Sequence, residues 1–351
     1  MIKKKKILCF MPGTVGGSQR MMIALTKQLD PALYEVKVVV VQPEVKGISN
    51  FIPDNFELIH IKVRNIWDFA ITKMIRLIRK ESPDFLFSSI FYLNTRVLIA
   101  GKLTKVPVIL RNDNYLAVMR DGQRRVAKHI YKWAKVVIMQ QEEMKAEFKE
   151  VFKFPEEKMV VIHNPIDKDA IDSRISAPSP FPDDDSVNYV WAARFNNKKG
   201  QDVLAEAFVK MHDRVPNSHL YLVGRNYDNP EMVQKVKDIV AGANLDNYLH
   251  IVGFDPNPYK WIYNCDCFVL PSRLEGLPNA LVEAMYLKKP VVATTCIEII
   301  KRMVEDGYNG YLVPSEDTDA MADAMVKALN LKNFTMTYSP SKPEDFIRLF
   351  D

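Results

Sequence analysis

The chain has 351 residues, 48% of them apolar and 26% charged, enough to bury more than one sizeable core and unlike the composition of a disordered or fibrous chain. Four cysteines, at 9, 265, 267 and 296, are too few and too scattered for a secreted disulfide framework. No apolar run reaches the length of a membrane span, and Lys3–Lys6 lead straight into a strand pattern and not into a signal-peptide core. The net charge of +5 hides an asymmetry: residues 1–175 hold 30 Lys and Arg against 19 Asp and Glu, whereas residues 176–351 hold 18 against 24. A basic first half points to an anionic partner, nucleic acid and anionic lipid both being open at this level.

The first strand is expected at 6–11, ending in Pro12-Gly-Thr-Val-Gly-Gly-Ser18, with a helix over 19–29. Gly16 and Gly17 permit a close backbone approach or a positive φ at this turn, but the Gly-x-Gly-x-x-Gly dinucleotide fingerprint is absent. Strands at 36–41, 58–63, 85–88, 106–110 and 136–139 alternate with helical patterns at 67–80, 94–103, 121–134 and 142–150. Residues 160–167 read as an edge strand and turn. This alternation predicts a parallel sheet covered by helices. A Pro- and Ser-rich stretch ending in Asp183-Asp-Asp185 reads as a solvated linker over 173–186. The pattern then repeats, with strands at 188–193, 220–223, 250–252, 267–270, 291–294 and 310–313. Its helices fall at 200–212, 230–242, 258–264, 278–287, 297–305 and 317–329. The expected organisation is therefore a first Rossmann-like domain over 1–172, the linker, a second over 187–330, and a tail over 331–351. Cys265 and Cys267 read as two thiols on one strand face, since no second pair is present to complete a metal site.

Chemistry concentrates after the strand at 267–270, in Pro271-Ser-Arg-Leu-Glu-Gly-Leu-Pro-Asn-Ala-Leu-Val-Glu-Ala-Met285. Glu275 stands at a strand's carboxyl end, where open α/β sheets bind ligands, and Pro278 suits the first position of the following helix. Glu283 lies about two turns along that helix, whose free amides suit a phosphate or sugar oxygen. A single Glu in either place would read as a solvated charge; the pair, eight apart around Gly-Leu-Pro-Asn, does not. This spacing resembles the signature of glycosyltransferase family 4, the retaining nucleotide-sugar glycosyltransferases with the α/β GT-B fold, two Rossmann-like parallel-sheet domains facing across a cleft. Ala193-Arg-Phe-Asn-Asn-Lys-Lys-Gly-Gln201 is similar to the family's Gly-Arg-Leu-x-x-x-Lys-Gly motif, with Ala193 in place of the Gly. Residues 160–167 resemble the family's Asn-Gly/Pro-Val/Ile-Asp passage ahead of the interdomain linker.

The resemblance implies a hexosyltransferase-type enzyme moving a sugar from a nucleotide-sugar, UDP-sugar being expected, with no cofactor and no metal required. It implies Arg194 and Lys199 on the diphosphate, Glu283 on the ribose hydroxyls and Glu275 on the donor sugar near its reacting carbon. Gly276, Leu277, Pro278 and Asn279 then form a turn facing sugar and phosphate. Gly224, Arg225 and the loop at Phe254 would lie by the base, and Gly16 and Gly17 on the diphosphate and acceptor side. On that side Leu110-Arg-Asn-Asp-Asn-Tyr115 resembles an Arg-Asn-Asp variant of polysaccharide-assembly members. Asp113 is the nearest counterpart of a polar residue facing the reaction, a helix-capping role being the rival; Ser88, Ser89 and Asn94 fall at an earlier strand end. The implied acceptor is a polyprenyl-diphosphate-linked glycan in O-antigen, capsule or related polysaccharide synthesis, on the cytoplasmic face of a membrane. Basic amphipathic patterns at 67–80 and 123–135 fit a peripheral seat on anionic lipid or an ordinary helical cover. Nucleic acid is not expected, since no recognition motif accompanies the positive charge. A soluble acceptor, or sugar-nucleotide binding without turnover, are the competing readings.

Overall fold

The computed structural model describes residues 3–13, 16–42, 52–63, 70–116, 119–227 and 229–351. The chain forms two compact units, Met1–Pro165 with Pro340–Asp351, and Ile166–Ser339. The first is built on β1 (Lys5–Met11), β2 (Tyr34–Gln42), β3 (Glu57–Lys62), β4 (Phe85–Ser89), β5 (Val108–Arg111), β6 (Val136–Met139) and β7 (Met159–Val161). Among the described residues these form a sheet in the order β3-β2-β1-β4-β5-β6-β7, every pairing parallel. The chain returns between parallel strands through α1 (Gly17–Thr26), α2 (Ile71–Glu81), α3 (Phe91–Thr104), α4 (Asp121–Ile130) and α5 (Glu142–Phe152). Alternation sorts the strand side chains onto two faces. Leu8, Phe10, Val39, Val41, Leu86 and Leu110 pack with Met74, Ile78, Val97 and Phe148 of the helices. On the other face Ile7, Cys9, Val38, Val40, Phe87 and Ile109 pack with Met22 and Leu25 of α1 and with Phe346 and Phe350.

Those two phenylalanines belong to the stretch 340–351. Past α6 (Lys168–Ile175) and the whole second unit, α13 (Pro343–Ile347) sets Phe346 against Phe87, with ring centroids 5.5 Å apart, and Phe350 edge-on to Phe85, also at 5.5 Å. Lys5 Nζ donates to the Phe350 carbonyl at 2.8 Å and Lys135 Nζ to that of Leu349 at 2.9 Å.

The second unit contains α6, β8 (Val187–Ala192), α7 (Gln201–His212), β9 (Ser218–Val223), α8 (Pro230–Ala241), β10 (Leu249–Gly253), α9 (Tyr259–Asn264), β11 (Cys267–Leu270), α10 (Asn279–Tyr286), β12 (Val291–Thr294), α11 (Glu298–Met303), β13 (Gly310–Val313) and α12 (Thr318–Ala328). Its parallel sheet runs β10-β9-β8-β11-β12-β13 among the described residues. Tyr189, Trp191, Leu220, Leu222 and Val269 face α7, α8 and α12; Val190, Tyr221, Phe268, Leu270 and Val291 face α9, α10 and α11. Ile171 of α6 is buried in the latter layer, and residues 173–186 lie within this unit.

Three local expectations are corrected. The first helix starts at Gly17 and ends at Thr26. Pro278 is the N-cap of α10 and not its first residue, because its ψ of 84° lies outside the helical range while its carbonyl already accepts from the Leu281 and Val282 amides at 3.0 and 3.2 Å. Cys265 and Cys267 do not share a strand face: β11 begins only at Cys267, and the two thiols enter opposite core layers.

Candidate functional site

In each sheet the strand order reverses at one place, and the loops leaving the two strands there diverge to leave a crevice at their carboxyl ends. In the second unit that place lies between β8 and β11. The loop after β8 carries Arg194 and Lys199, and the loop after β11 carries Glu275. Two observations bring these loops together. A 3-10 turn, Asn197–Lys199, is capped by the Asn196 side chain on the Lys198 amide at 3.0 Å, and Lys198 in turn offers its carbonyl to the Arg273 amide at 2.8 Å. Gly200 then takes a φ of +64°, and a Cβ there would lie 2.0 Å from the Pro271 carbonyl oxygen, so only glycine lets the two backbones abut.

Lys199 Nζ donates to both oxygens of Glu275, at 2.6 and 2.7 Å. Ser272 Oγ adds a third donor at 2.6 Å, and the Ser272 carbonyl is held by Thr294 Oγ1 from the end of β12, so the carboxylate is gripped although its residue is only 7% exposed. A carboxylate held by an ammonium and a hydroxyl keeps acceptor capacity for sugar hydroxyls. Glu283 is equally buried, on α10, and receives the Tyr259 hydroxyl at 3.4 Å. Gly276, Leu277, Pro278 and Asn279 join the two carboxylates, with Leu277 packed into the core. Arg194 is exposed, its carbonyl receiving Gln201 Nε2 at 3.2 Å. The rim continues toward the sheet edge: the Phe195 amide donates to the Arg225 carbonyl at 2.9 Å and the Gly224 amide to that of Gly253 at 2.8 Å. Gly224 has a φ of +151° and would place a Cβ 1.6 Å from the Ala193 oxygen. Phe254, beyond β10, is 54% exposed. Cys296, after β12, has its thiol pushed up to about 11 by burial, with Thr294, Glu275 and Lys199 close enough to act on it. His250 stacks on Tyr221 and shares a hydrogen bond with His219 at 2.9 Å.

In the first unit the order reverses between β1 and β4. Gly16 and Gly17 open α1 after β1, with Gly16 as its N-cap. Thr14 and Val15 of the same loop lie outside the described residues. At the end of β4, Ser89 Oγ donates to both oxygens of Asp113 at 2.9 and 2.8 Å. Asp113 is ion-paired with Arg111, whose other arm reaches Asn164 Oδ1 at 2.5 Å. Asn94 donates to the Arg111 carbonyl at 3.1 Å, and Ser88 Oγ, Asn94 Oδ1 and Arg111 Nε are buried without a protein partner among the described residues. Ile90 turns the chain from β4 into α3 with a φ of +80°, a conformation costly for a β-branched residue, on the order of 1–3 kcal/mol. Ser89 and Asn94 thus gather around Arg111 and Asp113, whereas Ser88 pairs in register with Leu110 and makes no contact with them among the described bonds.

The two basic helical patterns separate on inspection of their faces. Met74 and Ile78 of α2 are buried in the core, the mark of a covering helix, while Trp67 lies outside the described residues. On α4 and the 3-10 turn Tyr131–Trp133, only Ala127 and Tyr131 are buried. Val126 and Trp133 are exposed among Arg125, Lys128 and Lys132, with Lys102 Nζ 3.8 Å over the Trp133 ring and Leu103 60% exposed beside it. No helix among the described residues is long and apolar enough to cross a membrane, and no cluster there groups three metal-ligating side chains.

The family model described as Glycosyltransferase Family 4 matches residues 15–170, and that described as Glycosyl transferases group 1 matches residues 186–331. An uncharacterized glycosyltransferase of Methanocaldococcus jannaschii is 27% identical over 322 residues, which cover 84% of this chain and 76% of that protein. The UDP-Gal:alpha-D-GlcNAc-diphosphoundecaprenol alpha-1,3-galactosyltransferase of Escherichia coli is 23% identical over 285 residues, 75% of this chain and 70% of its own. Among solved structures, Anabaena HepE in complex with UDP and glucose has the same fold, with a TM-score of 0.74 over 93% of this chain and 92% of that one at 18% identity. Two family matches that together span nearly the whole sequence, each on its own Rossmann-like unit, make this chain a member of the family 4 and group 1 glycosyltransferases, with the GT-B fold.

Proposed function

We propose that the protein is a retaining glycosyltransferase that moves a sugar from a UDP-sugar to a polyprenyl-diphosphate-linked glycan in cell-surface polysaccharide synthesis. The observation that carries this reading is the Lys199–Glu275 pair at the reversal point of the second sheet. In the proposed complex Lys199 leaves Glu275 for the diphosphate and is joined there by Arg194, while Glu275 accepts hydroxyls of the donor sugar. Glu283 accepts the ribose hydroxyls, the Gly276–Asn279 turn borders sugar and phosphate, and Gly224, Arg225 and the Phe254 loop border the base. As the bond between the sugar's anomeric carbon and the phosphate oxygen breaks, the two cations offset the charge that gathers on the diphosphate. The acceptor oxygen bonds to that carbon on the same face, and its proton passes to the departing phosphate oxygen. The departing phosphate oxygen thus serves as the base, and among the described residues no histidine joins the Lys199–Glu275 pair. Asp113, held by Arg111 and Ser89, is assigned to the acceptor side with Gly16 and Gly17.

The UDP donor is supported by the UDP named for HepE, and the lipid-linked acceptor by the diphosphoundecaprenol named for the E. coli relative. A peripheral seat on an anionic membrane is supported by the exposed Leu103, Val126 and Trp133 among Lys102, Arg125, Lys128 and Lys132. A thermal-shift panel of UDP, GDP and their sugar conjugates tests the donor, with UDP conjugates expected to raise the melting temperature. Release of labelled lipid from membrane extract, with the anomeric configuration read by NMR, tests the transfer. An inverted product would refute the retaining course, and stabilisation by GDP alone would refute the UDP donor.

A further inference from the structure

Near the Lys199–Glu275 pair stands a second set of charges to which the proposed transfer gives no role. Arg273 forks onto Asp202, Nη1 to Oδ1 at 2.8 Å and Nη2 to Oδ2 at 3.1 Å. Asp202 lies in the first turn of α7, three residues after Lys199, and Arg273 lies two residues before Glu275. The same guanidinium donates to the Asn197 carbonyl at 2.8 Å, and the Arg273 and Leu274 amides both reach the Lys198 carbonyl, at 2.8 and 3.2 Å. Its outer edge meets Glu316 in the loop between β13 and α12, at 3.0 Å from Nη2. Asp202 is 4% exposed and also receives Lys235 Nζ at 2.6 Å. Burial works to raise its pKa, and the bonds from Arg273 and Lys235 outweigh that and bring it to about 2.

The need for such a tie follows from the donor-site reading, on which this inference rests. Lys199 cannot grip a diphosphate while its ammonium sits between both oxygens of Glu275, so donor binding has to break the pair. Breaking it removes one direct charge attraction between the two loops just when their spacing matters. We propose that Arg273 is a positioning residue: forked on Asp202, it holds the Lys199 turn against the Glu275 loop while Lys199 exchanges Glu275 for the donor's phosphates. A lysine would not serve, because a point charge cannot straddle both carboxylate oxygens and reach the Asn197 carbonyl as well. The tight approach of Gly200 to Pro271 leaves little slack for a looser arrangement.

The test is the UDP dissociation constant by calorimetry on the full chain, with the melting temperature measured alongside. Arg273→Met is expected to weaken UDP about tenfold, about 1.4 kcal/mol, and Arg273→Lys is expected not to restore it. In a Lys199→Met background the same Arg273→Met change is expected to matter less than about twofold, since Arg273 acts through Lys199. Asp202→Asn, which keeps the shape of the side chain, is expected to weaken UDP in the same direction and supplies the test should Arg273→Met not fold. The inference is overturned if Arg273→Met lowers the melting temperature but leaves UDP affinity unchanged, if lysine rescues it, or if the loss is equal in both backgrounds. Failure of the wild-type chain to bind UDP or GDP would instead remove the donor-site reading, and this inference with it.

Discussion

At the level of single residues, the site turns on how unequally its two charged partners are buried. The Lys199 side chain is 24% exposed and that of Glu275 5%. Removing the lysine leaves a buried carboxylate with Ser272 as its remaining side-chain donor among the described residues, whereas removing the glutamate's charge leaves an ammonium that can turn to water. Lys199→Met should therefore lower stability by roughly 1–3 kcal/mol and Glu275→Gln by distinctly less, as read from urea midpoints. Both should lose about 100-fold or more in transfer rate. A larger stability loss for Glu275→Gln would contradict this ordering. Lys199 was legible because it directly precedes a glycine in a motif, and Glu275 because it follows a buried apolar run. Arg273, Asp202 and Glu316 were not: two loop charges and one in the first turn of a helix carry no periodic or local signal, and only the sheet order makes them neighbours. The strained turn at Ile90 was equally hidden, since nothing in Ser-Ser-Ile-Phe marks a positive φ.

Among the elements, the strands were the most readable, because parallel strands covered on both faces appear as short apolar runs. Helix ends were read less well where the cap is backbone geometry, as at Pro278 and Gly17. Strand β10, at the sheet edge, carries an arrangement that composition does not reveal. His219 Nδ1 and His250 Nε2 lie within hydrogen-bond distance at 2.9 Å, and Tyr248 packs against both His219 and His212. Burial lowers the pKa of His212 and of His250, His219 adding to the effect at both; Asp213 opposes it at His212. A base whose folded pKa lies below its unfolded value, about 6.5, confers stability that is whole above that pH. This stability is lost as the pH falls toward the folded value. Urea midpoints should therefore drop between pH 7.5 and 5.5, with a slope of up to about 1.4 kcal/mol per pH unit for each histidine. His250→Gln should flatten part of that slope; a slope unchanged by the substitution would mean these rings are not its source.

For the whole molecule, the controlling feature is that the first unit is discontinuous in sequence. Phe346 and Phe350 are both 0% exposed against Phe85, Phe87 and Tyr34. Phe346→Ala or Phe350→Ala should each cost about 3–5 kcal/mol, and ending the chain at Ser339 should uncover that side of the first sheet. Limited proteolysis is the check: cleavage in the truncated chain should concentrate in residues 3–165 and spare 166–339. Uniform digestion of both units would argue against the assignment.

That split makes the order of synthesis consequential. During translation, the segment 166–339 emerges between the two parts of the first unit, a delay of roughly 10–35 s at 5–20 residues per second. Throughout it the earlier sheet waits with Phe85 and Phe87 uncovered, a sticky nascent surface that invites a chaperone or a neighbouring polysome. A frameshift or premature stop within the codons for residues 340–351 would thus strike the first unit and leave the second able to close on its own.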